Sequence, residues 1–568
     1  MPVVAPESLR PTLTGDRWMV AAGHPLAAWA AGRVFDRGGN AVDAGVAAGL
    51  ATAVVQVDQC NLGGVAPIVV RPAGGGTVFA VAGLGWWGAA ASIDAFRERF
   101  GDAMPPGAPV GVVPAAVSAW VRALQRFGTW SFADCARDAI ELARGGFALD
   151  ARLAASLEAM GVRLAGWPSS AAVFRPAGRA LRPGERLVQD ALGRLLERLA
   201  DAERGPTRDA ALDAVHAAFY AGEPAQLIAR HAAAHGGWLT AADLAAFDAE
   251  IEPAVHRRAG GWDVWTPPAW CQGPALLQAL AILDGMDVGA LEHGGADHVH
   301  LVAEATKLAF ADRERFYGDP RAVDVPLERL LSDERAADLR ALIDPRRALP
   351  SLGDGLAPPP VAAARRDTTH LCTLGADGTA FSATPSDTLD GGPLVAELGI
   401  IVSPRGVQSR LDPAHPAALG PRRRPRLTPA PAIALGAADG GAEPRAVAFG
   451  CPGGDVILQG MLQAFLNLTA FGMTPQQAVE APRFAAWAWP DSFHPHPEVP
   501  ARVTLEARIG DDVAAELARR GHDVHRWPAL AFDAGSVSMV LDAAPPRDGR
   551  RVLAAAADPR RIAYALGR

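Results

Sequence analysis

The sequence has no paired cysteine pattern: its five cysteines, Cys60, Cys135, Cys271, Cys372 and Cys451, are odd in number and far apart. That excludes a disulfide framework and a paired zinc motif, and reduced thiols fit a cytoplasmic protein. There is no basic excess either. With 54 Lys and Arg against 62 Asp and Glu, a formal net charge of −8, the chain lacks what a general nucleic-acid binder needs to neutralise phosphates. The longest apolar-looking run, Ala41–Val55, carries Asp43, is too short to span a bilayer and predicts a buried helix, so no membrane partner is expected. Residues 1–15 contain Pro2, Pro6 and Pro11 but no basic region followed by an apolar core, and no secretory signal is read there. Internal repeats and a complete metal-ligand set are also missing. His231 and His235 stand at i, i+4, and His293, His298 and His300 gather near a helix start, but neither group shows its remaining ligands, so no metal or other cofactor is expected.

What is present is a chain too long for one simple core, 49% hydrophobic and 20% charged, the balance of an ordinary globular protein. A strand at 18–22, a helix opened by Pro25 and closed by Gly38-Gly39-Asn40, and a hairpin of 67–71 with 77–81 begin it. Residues 113–250 and 298–317 have helical periodicity. The stretch 349–364, with Pro350 and Pro358-Pro359-Pro360, predicts an exposed tether. Beyond it, strands are predicted at 369–374, 379–384, 400–403, 432–435 and 445–449, and helices at 456–471 and 510–520. Strands with helices on their outer faces predict a layered α/β core built from both sides of the tether.

The tether delivers the chain to Asp367-Thr368-Thr369-His370. If the bond before Thr368 is cut, one residue holds both nucleophile and base, because an α-amine with a reference pKa near 8 can take the proton of its own hydroxyl. Gly450-Cys451-Pro452-Gly453-Gly454 follows a predicted strand and precedes a predicted helix, which sets unhindered backbone amides at a helix N-terminus, a geometry suited to an oxyanion.

Together these motifs resemble the γ-glutamyltranspeptidase family of N-terminal-nucleophile hydrolases, and the likeness runs along nearly the whole chain. It is carried by Gly38-Gly39-Asn40-Ala41-Val42-Asp43-Ala44, Asn61-Leu62-Gly63-Gly64, the stretch from Phe219-Tyr220-Ala221-Gly222 to Leu239-Thr240-Ala241-Ala242-Asp243-Leu244, and Ala303-Glu304-Ala305 through Ala311-Asp312-Arg313 to Gly318-Asp319-Pro320. Thr368-Thr369-His370, Gly450 to Gly454, Ala478-Val479-Glu480-Ala481-Pro482-Arg483 and Asp558-Pro559-Arg560-Arg561 complete it. The resemblance implies a four-layer αββα sandwich and a proenzyme that cleaves itself between Asp367 and Thr368. The Thr368 hydroxyl would attack the Asp367 carbonyl, and an N-to-O acyl shift and ester hydrolysis would follow. Chains 1–367 and 368–568 would then form a heterodimer around one intertwined core. It further implies Thr368 as nucleophile, its α-amine as base, the amides of Gly453 and Gly454 as oxyanion hole, Thr384 as an aid to processing and Ser386 as the hydroxyl bonded to the nucleophile.

The part of the family pattern that holds a γ-glutamyl group is replaced. The carboxylate-binding arginine aligns with Leu84, the serine pair with Leu427-Thr428, the amine-binding acid region with Val407-Gln408, and a polar asparagine with Thr388; Trp86 and Trp87 follow Leu84. Bidentate recognition is lost at Leu84. The expectation is therefore a self-processing amidohydrolase or acylase acting on a small-molecule amide whose acyl group is not standard γ-glutamyl, as in the cephalosporin or glutaryl acylase-like and oxamate amidohydrolase-like branches. A conventional γ-glutamyl hydrolase/transferase acting on glutathione-type substrates is the alternative, and a catalytically silent scaffold is the alternative of another class. Arg405 or the cluster at 422–426 can replace the lost anchor, although Arg422-Arg423-Arg424 between Pro421 and Pro425 reads first as a solvated loop. His370 is expected to make a structural hydrogen bond, Cys372 and Cys451 to pack, and Glu304, Lys307 and Asp312 to support the fold by ion pairing.

Overall fold

A computed structural model describes residues 8–349, 368–436, 445–547 and 550–568. The predicted tether beyond Leu349, and Asp367 with it, lie outside them. Among the described residues two sheets have seven strands each. The first runs Tyr564–Gly567, Trp18–Ala22, Leu371–Gly375, Ala380–Ala383, Ile68–Arg71, Phe79–Val81, Ile251–Pro253, and every neighbouring pair is antiparallel. The strand that follows Thr368 is thus interior, with Leu371 opposite Ala22 on one side and Ala383 on the other. The second sheet runs Leu13–Gly15, Arg550–Ala557, Ser538–Arg547, Ala446–Gly450, Ala432–Gly436, Trp262–Thr266, Val255–Ala259, also antiparallel throughout.

Because successive side chains in a strand point to opposite faces, the inner strands bury both faces and read as nearly continuous apolar runs. Met19, Ala21, Val69, Cys372, Leu374 and Ala380 of the first sheet share a cluster with Ile433, Ala446, Ala448, Val540, Leu553 and Ala555 of the second. The alternate residues Val20, Ala22, Ile68, Val70, Leu371 and Phe381 pack with the helices Pro25–Asp36, Ala41–Val55 and Ala116–Phe127. On the second sheet Ala432, Ala434, Val447, Phe449, Met539 and Leu541 pack with Gly273–Leu283, Ala296–Phe316 and Val456–Thr469.

Ala41–Val55 is buried along its whole length. Its one charge, Asp43, is satisfied three ways: it closes the capping box with Asn40, and it accepts from Thr129 (N 2.8 Å, Oγ1 2.7 Å) and from the Trp130 amide (3.1 Å). Among the described residues no helix is long and apolar enough to cross a membrane.

Two strand assignments need correction. Residues 400–403 do not form a strand; Ile400 makes an isolated bridge to Val395, and Ser403 accepts one amide, from Val112. Pro404, with no N–H to donate, ends the extended piece, and Arg405–Gln408 turns away as a short 3-10 helix. The long pair Ser538–Arg547 and Arg550–Ala557 is not predicted at all, since Ala554-Ala555-Ala556-Ala557 has the local preference of a helix and only its neighbours in the sheet make it a strand.

The chain has a single lysine, Lys307, and it is fully buried. Its ammonium donates to Glu304 Oε1 (2.7 Å), whose Oε2 accepts the Leu349 amide (2.9 Å). His300 and His522 meet at 2.8 Å beside this pair, and with Glu304 they make a triad spaced for a cation. Lys307 shares the Glu304 oxygen and fills that electrostatic role itself. Asp312 pairs instead with Arg335 and Gln278. His231 and His235 stack at 4.3 Å, and His293 bonds Asn467. The five cysteines are free and buried.

Candidate active site

Thr368 heads its strand and pairs with Ser386 in an antiparallel bridge, which brings their hydroxyls to 2.9 Å. Arg561 Nη1 donates to the Thr368 carbonyl (3.1 Å); its guanidinium is fixed by Gln59 Oε1 (2.9 Å) and lies 3.8 Å from the Phe532 ring centre. The next residue is anchored as firmly: the Thr369 amide donates to Pro385 O (3.1 Å) and its hydroxyl to Gln56 Oε1 (2.7 Å). These bonds tie the start of the strand to residues 385–386, to Gln56 and to Arg561, so the position of Thr368 is fixed from three sides.

His370 Nδ1 bonds Thr384 Oγ1 (3.0 Å), and the ring packs where Gly450 has no side chain. Thr384 therefore reaches the strand through His370 and not through Thr368. Burial lowers the His370 pKa to about 3, so the imidazole is neutral in the fold. The unfolded chain takes up this proton from about pH 6.5 downward while the fold resists until about 3, so stability falls on acidification through that window by about 1.4 kcal/mol per pH unit. Chemical denaturation at pH 7 and pH 5 should show a loss in the wild type that is about 2 kcal/mol smaller in His370→Asn; equal losses would remove His370 from the account.

Ser386 is held by a charged brace. Arg405 donates from Nη2 to Ser386 Oγ and from Nε to Asp387 Oδ1, while Asp387 Oδ2 accepts from Ser403 Oγ (2.6 Å). Asp387 has φ 92°, a costly conformation for a residue with a side chain. Asn61 holds it there, donating to the Asp387 carbonyl (2.9 Å) while its own Oδ1 accepts the Gly63 amide (2.7 Å). This gives the Asn61-Leu62-Gly63-Gly64 motif a physical role.

The glycine turn lies between the strand Ala446–Gly450 and the helix Val456–Thr469 as predicted, with Gly453 at φ 128° and Gly454 at φ 60°, values that favour glycine. A run of hydrogen bonds, one of them long, connects it to Thr368. From Ser386 the run passes through Arg405 to Gln408 Oε1 (3.5 Å), through Gln408 Nε2 to Thr428 Oγ1 (3.0 Å), and through Gln272 Nε2 to both Thr428 O (2.8 Å) and Gly454 O (3.2 Å). Behind the turn, Asp455 accepts from Arg313 Nη1 (2.6 Å) and from the amide (3.0 Å) and hydroxyl (2.7 Å) of Ser492, and Arg313 also holds Gln272 Oε1 (2.8 Å).

The residues aligned with the family's acyl pocket separate. Leu84 and Leu427 are fully buried in one apolar cluster, and Thr428 joins the network just described. Trp86 packs edge-on against Phe247 with Arg321 over its face at 5.0 Å. Trp87 lies in another cluster, its Nε1 bonded to Ser409 Oγ (2.9 Å), and Thr388 opens the turn Leu389–Gly391. The reading of residues 422–424 as a solvated loop is corrected at Arg424, which is buried, with its amide on Asp319 (2.9 Å) and its guanidinium near Glu250 (3.3 Å). Arg426 is buried against Glu314 (2.6 Å). Acids from distant elements draw both inward. Cys451 is buried, which raises its pKa, and its Sγ contacts the Pro452 carbonyl (3.2 Å).

Arg561, Arg313 and Asn61 fall inside segments that carry the resemblance, but their roles need the third dimension. Asp387, Gln272 and Asp455 had no signal of their own, since each acts through a partner far away in sequence.

A threonine heading an inner strand between helix-backed antiparallel sheets, hydrogen-bonded through to a glycine turn, defines the α/β fold of the N-terminal-nucleophile hydrolases. Within that class the chain belongs to the gamma-glutamyltranspeptidase family, whose model matches residues 27–567. It is 34% identical to the acylase ACY 1 proenzyme of Pseudomonas sp. (strain V22), covering 93% of this chain and 91% of that protein. It is 30% identical to the glutathione hydrolase-like YwrD proenzyme of Bacillus subtilis (strain 168), covering 98% and 99%. The solved structure of cephalosporin acylase from Bacillus halodurans superposes with a TM-score of 0.84 at 28% identity, covering 100% of this chain and 98% of that one.

Proposed function

We propose that this protein is a self-processing amidohydrolase or acylase that works through an acyl-enzyme on Thr368. The observation that carries the reading is the run of hydrogen bonds from Thr368 through Ser386, Arg405, Gln408, Thr428 and Gln272 to Gly454, with one long step of 3.5 Å between Arg405 and Gln408. Cleavage before Thr368 gives chains 1–367 and 368–568, which stay together because strands and helices from both sides of the cut share the same clusters. Those three clusters support the reading of a four-layer αββα sandwich, with one cluster at each seam. In the mature enzyme the α-amine of Thr368 takes the hydroxyl proton, Oγ1 attacks the amide carbonyl, and the amides of Gly453 and Gly454 face the developing oxyanion. Arg405 can only donate, so Ser386 accepts from it and turns its own proton toward Thr368 Oγ1, steadying the alkoxide. Thr384 supports processing through His370. Water then hydrolyses the ester.

Leu84 supports a specificity other than γ-glutamyl, because it offers an apolar surface where a carboxylate would need a partner. The glutathione hydrolase-like relative favours the conventional γ-glutamyl reading as the second possibility. Five buried free thiols fit a reducing, cytoplasmic setting. Assay of glutaryl, oxalyl and γ-glutamyl anilides with purified enzyme separates the two readings: the first expects γ-glutamyl to be the poorest, and γ-glutamyl as the best substrate would reverse the order. An intact, inactive chain would point to a scaffold.

A further inference from the structure

A cleft of about 690 Å³, within the size range of small-molecule sites, lies where segments from before and after Thr368 meet. Residues 106–109, residues 166–169 and the helix Glu223–Ala234 with its cap His235 line it on one side, and residues 393–397 on the other. Hydrogen bonds hold the two sides together: the Gly107 amide donates to Gly391 O (2.8 Å) and the Leu394 amide to Ser170 Oγ (3.2 Å). None of the residues that fix Thr368, brace Ser386 or form the glycine turn borders this space, so a molecule held in it is held apart from the nucleophile.

The walls are mostly apolar, from Trp167, Leu227, Leu394 and four prolines. The permanent charges at its edge are Arg230 and Glu397, both exposed. Among the described residues neither makes an ion pair or a hydrogen bond, so they border one space yet stand too far apart to pair with each other. The imidazoles do not close that gap. Burial first, and His235 second, lower the His231 pKa to about 4, so this ring is neutral at pH 7. His235 turns Nδ1 to the His231 carbonyl (2.8 Å); a carbonyl only accepts, so the proton sits on Nδ1 and the neutral ring keeps Nε2 as an acceptor. A simple carboxylate in the cleft would bring a like charge toward Glu397, and a simple amine one toward Arg230, whereas a zwitterion answers both. We propose that this cleft binds a free α-amino acid with a large apolar side chain, its carboxylate on Arg230, its ammonium on Glu397 and its side chain among Trp167, Leu227 and Leu394. The site is separate from the one that cleaves the amide and does not depend on the acyl-enzyme reading.

The test is calorimetric titration of the purified wild-type protein with L-leucine, glycine, 4-methylpentanoate and 3-methylbutylamine, none of which has an amide to cleave. L-Leucine should saturate a single site and bind roughly tenfold or more tightly than each of the others, which lack the side chain, the ammonium and the carboxylate in turn; one hydrogen bond to a charged group is worth at least that factor. Arg230→Gln and Glu397→Gln should each weaken L-leucine by roughly tenfold, with Arg230→Lys keeping part of the affinity. Both side chains are exposed, so the melting midpoints of the variants without ligand should match the wild type and show that the fold is kept. Absence of saturable heat up to about 20 mM L-leucine, an analogue with one charge binding as tightly as L-leucine, or unchanged affinity in either Gln variant overturns the proposal. Each of these results leaves Thr368 standing, whose own failure would appear as full turnover in Thr368→Ala.

Discussion

Thr368→Ala is expected to purify as one uncut chain and to lose amide turnover by roughly 10⁴-fold or more, the scale seen when a nucleophile is removed from an acyl-transfer site. Thr368→Ser should still mature, more slowly, and keep measurable activity, because it retains a hydroxyl 2.9 Å from Ser386. Intact mass and the first residue of the smaller chain read the cleavage, and single-turnover kinetics read the chemistry. Two chains in Thr368→Ala, or unchanged turnover, would remove Thr368 from both steps. The variant also separates chemistry from folding, since Thr369 retains its bonds to Pro385 and Gln56 and should hold the strand in register.

Asp455→Ala is expected to act on stability and rate together. The carboxylate is buried and accepts from Arg313 and twice from Ser492, so deletion leaves these buried donors short of an acceptor at a cost of about 1–3 kcal/mol, with Arg313 still paired to Glu314 (2.8 Å). Gly454 immediately precedes it, and loss of this latch should lower kcat by roughly 10²–10³-fold with a smaller change in KM, as removal of an oxyanion donor does. Asp455→Asn keeps the shape without the charge and should fall between. A denaturation midpoint that drops while kcat holds would confine Asp455 to the fold.

Much of the candidate site's layout was legible because it is local: a hydroxyl residue after a proline-rich stretch, and a glycine turn between strand and helix, are short patterns with a mechanical reason. The α/β layering was legible where an apolar run was long enough for a buried helix, as in Ala41–Val55. It failed where tertiary neighbours override local preference, at Ala554 to Ala557, and at 400–403, where apolar β-branched residues look like a strand but Pro404 leaves them with little to pair with. What was least legible is the set of long-range partners. Arg405 is separated from Asp387 by a turn and an irregular segment, and Arg424 reads as exposed until Glu250 and Asp319 are brought to it. Charge pairs of this kind have no period and no fixed spacing.

The sealed pair of Lys307 and Glu304 bears on how the protein can be labelled. Since the sequence contains no other lysine, the native molecule offers amine-reactive dyes no accessible ε-nitrogen, and at neutral pH only α-nitrogens remain to be acylated. A stoichiometric tag on the smaller fragment would then report directly on the residue at its beginning, and its protection by a bound inhibitor would follow occupancy without any chromogenic substrate.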